Sequence, residues 1–95
     1  MTVWTFGAEI VEWRGPAPFL FAPLPEDLSA EVKEAARGIQ YWGQVPVVAR
    51  IGGTEFATAM WPRHGRFLLP VKVAVQRAEN IALGDEVVAS IRLAR

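Results

Sequence analysis

The sequence predicts a mainly β fold, a closed six-stranded barrel with two short helices. Three observations predict it. Apolar and polar residues alternate at a period of two in several separate segments, which puts one face of each strand on a core. Prolines and glycines fall singly between these segments, as turns do in a β-rich chain, and no repeat or low-complexity tract intervenes. Six strands and two helices are more than a flat sheet of this length can bury, so closure into a barrel is the economical solution.

The first segment sets Trp4, Phe6, Ala8 and Ile10 on one face against Thr5, Gly7 and Glu9 on the other. The phase then flips, with Val11 and Trp13 alternating against Glu12 and Arg14, which predicts a bulge or sharp bend within one strand. Gly15-Pro16 ends it, and Phe19 to Ala22 forms a short return strand. Leu24-Pro25-Glu26-Asp27-Leu28-Ser29 opens a helix near 26–37, because Leu28, Val32 and Ala35 or Ala36 share a face. Acidic residues begin this helix, Arg37 ends it in keeping with the helix dipole, and Gly38 stops it.

Val45 to Ile51, Gly52-Gly53 and Thr54 to Met60 read as a tight hairpin. Its register places Ala49 opposite Phe56 on an apolar side and Arg50 opposite Glu55 on the other. Pro62-Arg63-His64-Gly65 is a polar turn, and Arg66 to Leu69 is a strand. Pro70 starts a second helix near 71–79, with Val71, Val75 and Ala78 on one face and Asn80 as its stop. After Gly84-Asp85, a last strand alternates Val87, Ala89, Ile91 and Leu93 with Glu86, Val88, Ser90 and Arg92.

Residues 1–95 are expected to form one domain, since 52% of them are hydrophobic and the net charge is zero, which excludes a disordered chain. Ten Lys+Arg balance ten Asp+Glu, removing the surplus positive charge that drives most nucleic-acid binding. No nucleic-acid partner is expected. The longest apolar stretch, Ala17 to Leu24, is interrupted by Pro18 and Pro23 and is far shorter than a membrane helix. With no cysteine and no secretory signal at its start, the chain is expected in the cytoplasm.

One histidine and no cysteine leave no ordinary zinc site, and no cofactor is expected. His64 reads as a solvated turn residue. Ser29 reads as a helix cap and Ser90 as a mid-strand residue, so no catalytic triad assembles. Gly52-Gly53 is turn chemistry rather than a phosphate loop, and Glu26-Asp27 and Asp85-Glu86 are solvated charges at element ends.

Trp13-Arg14-Gly15-Pro16, Tyr41-Trp42-Gly43-Gln44-Val45-Pro46-Val47, Arg50-Ile51-Gly52-Gly53-Thr54-Glu55-Phe56 and Leu69-Pro70-Val71-Lys72 with Gly84-Asp85 resemble the domain-of-unknown-function family 1905 of small bacterial and archaeal proteins. The resemblance spans nearly the whole chain and implies a closed Greek-key barrel of about six strands. It also implies that some relatives carry an appended C-terminal segment of the YdeI/OmpD-associated type, whose function is not expected to transfer. The sequence departs from the family pattern near Trp61, where the family usually has Phe or a smaller apolar residue, and near Arg63, where it usually has a lysine. A weaker resemblance, in Arg66 to Pro70 and Gly84-Asp85-Glu86-Val87, is to swapped-hairpin and double-psi barrels, some of which are DNA-binding regulators.

The candidate site combines the aromatics Trp13, Tyr41, Trp42 and Trp61 with the cations Arg14, Arg50, Arg63 and Lys72. In one reading the rings fill the barrel and cover its ends, with Trp42 as a plug, while the cations are solvated. In the other they wall a pocket for a small anionic or planar ligand, or for a segment of a protein partner. Lys72, placed in a first helical turn where its charge opposes the dipole, points toward an anion or a neighbouring carboxylate. The function expected is a non-enzymatic binding or interaction module. An enzyme with an Arg/Lys-based site is the second reading and a DNA-binding regulator the third.

Overall fold

Trp4, Phe6, Ala8 and Ile10 all turn into the core, as their alternation requires, yet the strand they begin does not continue through the bend. The computed structural model describes residues 2–13, 19–40 and 43–94. At Ile10 the chain breaks into two strands, β1 (Trp4–Glu9) and β2 (Val11–Trp13). The Ile10 N–H donates to the Asp85 carbonyl (2.8 Å), and the Ile10 carbonyl accepts from the Gly84 N–H (2.9 Å). The phase flip is therefore a complete change of partner: β1 pairs with the last strand and β2 with the next.

The remaining elements are β3 (Phe19–Pro23), α1 (Glu26–Ala35), β4 (Val45–Ile51), β5 (Thr54–Arg63), β6 (Arg66–Val71), α2 (Val73–Glu79) and β7 (Glu86–Leu93). The seven strands form one antiparallel sheet in the order β1-β7-β4-β5-β6-β3-β2, curled into an open half-barrel. This corrects the expected closed six-stranded barrel. The physical reason lies at Ile10. The two ends of the sheet, β1 and β2, are consecutive in the chain with one residue between them, too few for the two-residue loop a hairpin needs. They meet at that corner without pairing.

The inner face of the curl carries the main core. Val45, Val47, Ala49 and Ile51 of β4 meet Met60 of β5, Phe67, Leu69 and Val71 of β6, and Ala89 and Ile91 of β7, with Val32 and Ala36 packed against them. The β4–β5 register is the one the alternation predicts, Ala49 opposite Phe56 and Arg50 opposite Glu55. Of the two turn glycines, Gly52 alone takes a positive φ, +58°. His64 and Gly65 both do, at 50° and 79°, which is the signature of a two-residue type I′ turn joining β5 to β6.

Both predicted helices form with corrected details. In α1 the cap is Pro25 without a side-chain bond, and Ser29 is buried, its Oγ accepting the Phe67 N–H at 3.0 Å. Ser29 thus ties the helix to β6 instead of capping it. Pro70 and Val71 belong to β6, so α2 begins only at Val73, with Val75 buried and Ala78 exposed. Asn80 stops α2 in the left-handed conformation. Among the described residues no helix is long and apolar enough to cross a membrane.

Candidate functional site

β3 reads Phe-Leu-Phe-Ala-Pro, and its alternation sends Leu20 and Ala22 to the core and Phe19 and Phe21 to the outer face. Beside it, β6 sends Phe67, Leu69 and Val71 inward and Leu68 and Pro70 outward; Phe21 lies opposite Pro70, and Trp61 opposite Leu68. On the other flank Trp13 lies opposite Phe19. This half of the sheet therefore carries a second apolar layer on its outside.

Phe21 is the hub of that layer. Its ring centre is 6.3 Å from Trp13, 6.0 Å from Trp61 and 6.4 Å from Phe19. Trp13 and Trp61 meet edge to face at 6.1 Å and 84°. Phe21 and Leu68 are 1% and 7% exposed although neither belongs to the main core, whereas Trp13, Trp61 and Phe19 are 37%, 36% and 54% exposed. Two buried residues support three open rings.

The cations divide. Arg63 holds its guanidinium carbon 4.0 Å from the centre of the Trp13 ring, a cation–π contact. Lys72 is the residue just before α2, and its Nζ donates to the Ala57 carbonyl at 2.8 Å. Arg50 lies on the outer face opposite Glu55, roughly 20 Å along β5 from Trp61 at the rise of a strand. The Glu55 carboxylate pairs with Arg92 at 3.5 Å. Trp13, Trp61 and Arg63 are thus brought together, Lys72 stands at their border and Arg50 does not join them. Arg14, Tyr41 and Trp42 lie outside the described residues.

Sequence reasoning missed Phe19, Phe21, Leu68 and Pro70. A signal was present: Phe19 to Ala22 and Phe67 to Leu69 are apolar at successive positions, the mark of a strand covered on both faces.

Pro70 also opens the sheet. Arg63 and Arg66 flank the two-residue turn and form a hydrogen-bonded pair, so every second pair along β5 and β6 exchanges backbone bonds: Trp61 with Leu68, then Ala59 with Pro70. Proline has no N–H to give, and the β5–β6 ladder ends at Trp61 and Leu68, whereas β3 stays paired with β6 up to Val71. A groove of about 430 Å³ occupies the gap, lined by Phe19, Ala59, Trp61, Pro70, Lys72 and Val73 among others. A shallower one of about 520 Å³ lies on the other side of the cluster, beside Trp13, Arg63, His64 and Leu68.

Among the described residues no group of three or more His, Cys, Asp or Glu side chains is placed to hold a metal ion. No curated protein matches the chain. The family model described as Domain of unknown function (DUF1905) matches residues 6–91.

Proposed function

The chain belongs to the domain-of-unknown-function family 1905, and from that premise and the geometry of the aromatic face we propose that it is a small binding module whose contact surface is the outer side of β2, β3, β6 and β5. The observation that carries this reading is the exposure of Trp13, Trp61 and Phe19 around a buried Phe21. Contiguous apolar surface rimmed by polar groups marks contact sites in soluble proteins. Indole faces held by a packed support offer a flat ligand stacking worth about 0.5–1.5 kcal/mol per ring beyond area burial, with little ordering cost.

The partner is a small planar ligand. Arg63 on the Trp13 face and Lys72 at the groove supply a cationic rim for an anionic group. A nucleic-acid partner is disfavoured by the balance of ten cationic and ten acidic residues. No catalytic constellation is invoked, because Arg50 and Lys72 do not converge on one cleft. A metabolite library screened by thermal shift tests the reading: ligands that raise the melting temperature of the wild type should lose that effect in Trp61→Ala. Hits whose shift survives both Trp61→Ala and Trp13→Ala would refute it.

A further inference from the structure

The gap between β5 and β6 is shaped for one ligand class. Its lining includes Ala59, Trp61 and Pro70 from the outer side of the sheet together with Thr58 and Val71 from the inner side, so the slot enters the sheet instead of lying on it. Val73 and Gln76 of α2 border it too. At about 430 Å³ it lies within the roughly 300–1,000 Å³ of small-molecule sites.

Its polarity is one-sided. Phe19, Trp61, Pro70 and Val73 give flat apolar walls, and Lys72 is the sole charged side chain among the described lining residues. The Lys72 ammonium donates one hydrogen bond to the Ala57 carbonyl, leaving two of its three N–H donors for a ligand. Gln76 is held in place by its own bond from Nε2 to the Val71 carbonyl (2.8 Å). A body that stacks on Trp61 and ends in a single negative charge satisfies both sets of groups.

We propose that this slot binds a flat apolar monocarboxylate, with the ring system between Trp61 and Phe19 and the carboxylate on Lys72. The proposal rests on the aromatic-face reading and adds the ligand's charge and its anchor. A carboxylate gains a charge-assisted hydrogen bond from the ammonium that a neutral amide of the same shape lacks.

Naphthoate and naphthamide are the probes, titrated against the protein by calorimetry. Naphthoate should bind about tenfold more tightly than naphthamide. Lys72→Met should abolish that preference, Lys72→Arg should keep most of it, and Arg50→Met, at a cation that does not join the cluster, should leave it unchanged. Equal binding of the two probes by the wild type, or a preference that survives Lys72→Met, overturns the proposal. If both probes bind alike and both are lost in Trp61→Ala, the carboxylate assignment falls while the aromatic-face reading stands. Tighter binding of a tripeptide ending in a phenylalanine carboxylate than of naphthoate overturns the small-molecule assignment.

Discussion

Arg63 lays its guanidinium carbon 4.0 Å from the centre of the Trp13 ring even though two strands, β6 and β3, lie between β5 and β2 in the sheet. Trp13 reaches this contact by leaning across Phe21 toward Trp61, so one side chain from each flank closes over the middle strands. A double-mutant cycle of Trp13→Leu with Arg63→Met should give a coupling of about 0.5–1 kcal/mol, the range for a partly exposed cation–π pair. Additive effects in chemical denaturation would show that the contact has no energetic weight.

Phe21 and Trp61 touch but do different work. Phe21→Ala removes a buried ring from under the cluster and should cost about 3–5 kcal/mol. Trp61→Ala removes a ring that is 36% exposed and should cost less, roughly 2 kcal/mol. Equal losses, measured by urea unfolding, would place both residues in a single structural core and remove the ground for calling Trp61 a contact residue.

Ser29 is the polar link between α1 and β6. In Ser29→Ala the buried Phe67 N–H loses its acceptor, and the expected loss is about 1–3 kcal/mol. Hydrogen exchange should accelerate at Phe67 more than at the Val47 and Ala49 amides of the distant β4 strand. An unchanged exchange rate at Phe67 would mean that the bond does not protect that amide.

Gly52 combines a φ of +58° with a neighbour. A Cβ built there meets the Glu79 carboxylate at the end of α2, and that carboxylate accepts a hydrogen bond from the Thr54 hydroxyl. Gly52→Ala should cost more than the about 1–2 kcal/mol that the left-handed region imposes on a residue with a Cβ, because the Glu79 carboxylate must also give way. In Glu79→Ala the space is free, so Gly52→Ala should cost less in that background. The same cost in both backgrounds would assign the whole effect to backbone strain.

Local chemistry made much of this fold legible. The Gly52-Gly53 turn and the strict alternation on both sides leave one register that buries Val45, Val47 and Ala49, and that register is the one observed. The split at Ile10 was not legible, because a phase flip in the sequence looks the same whether the strand bulges or changes partner. Pro70 misled for a related reason. Proline suits a first helical turn, but it also suits a strand position whose N–H has no partner to serve, and only the end of the β5–β6 ladder distinguishes them. Within the candidate site, residue types identified Trp13, Trp61 and Arg63, while the face they occupy depended on Phe21 and Leu68, two apolar residues that resemble any others in the core.

The most direct test of the binding surface is an amide and indole NMR titration with naphthoate. The indole N–H signals of Trp13 and Trp61 should shift together with the backbone of Ala59 and Lys72, while that of Trp4, buried on the inner face, stays in place. Shifts concentrated instead on Trp4, Arg92 and Leu93, which line a separate groove of about 680 Å³, would contradict the assignment of the aromatic outer face as the binding surface.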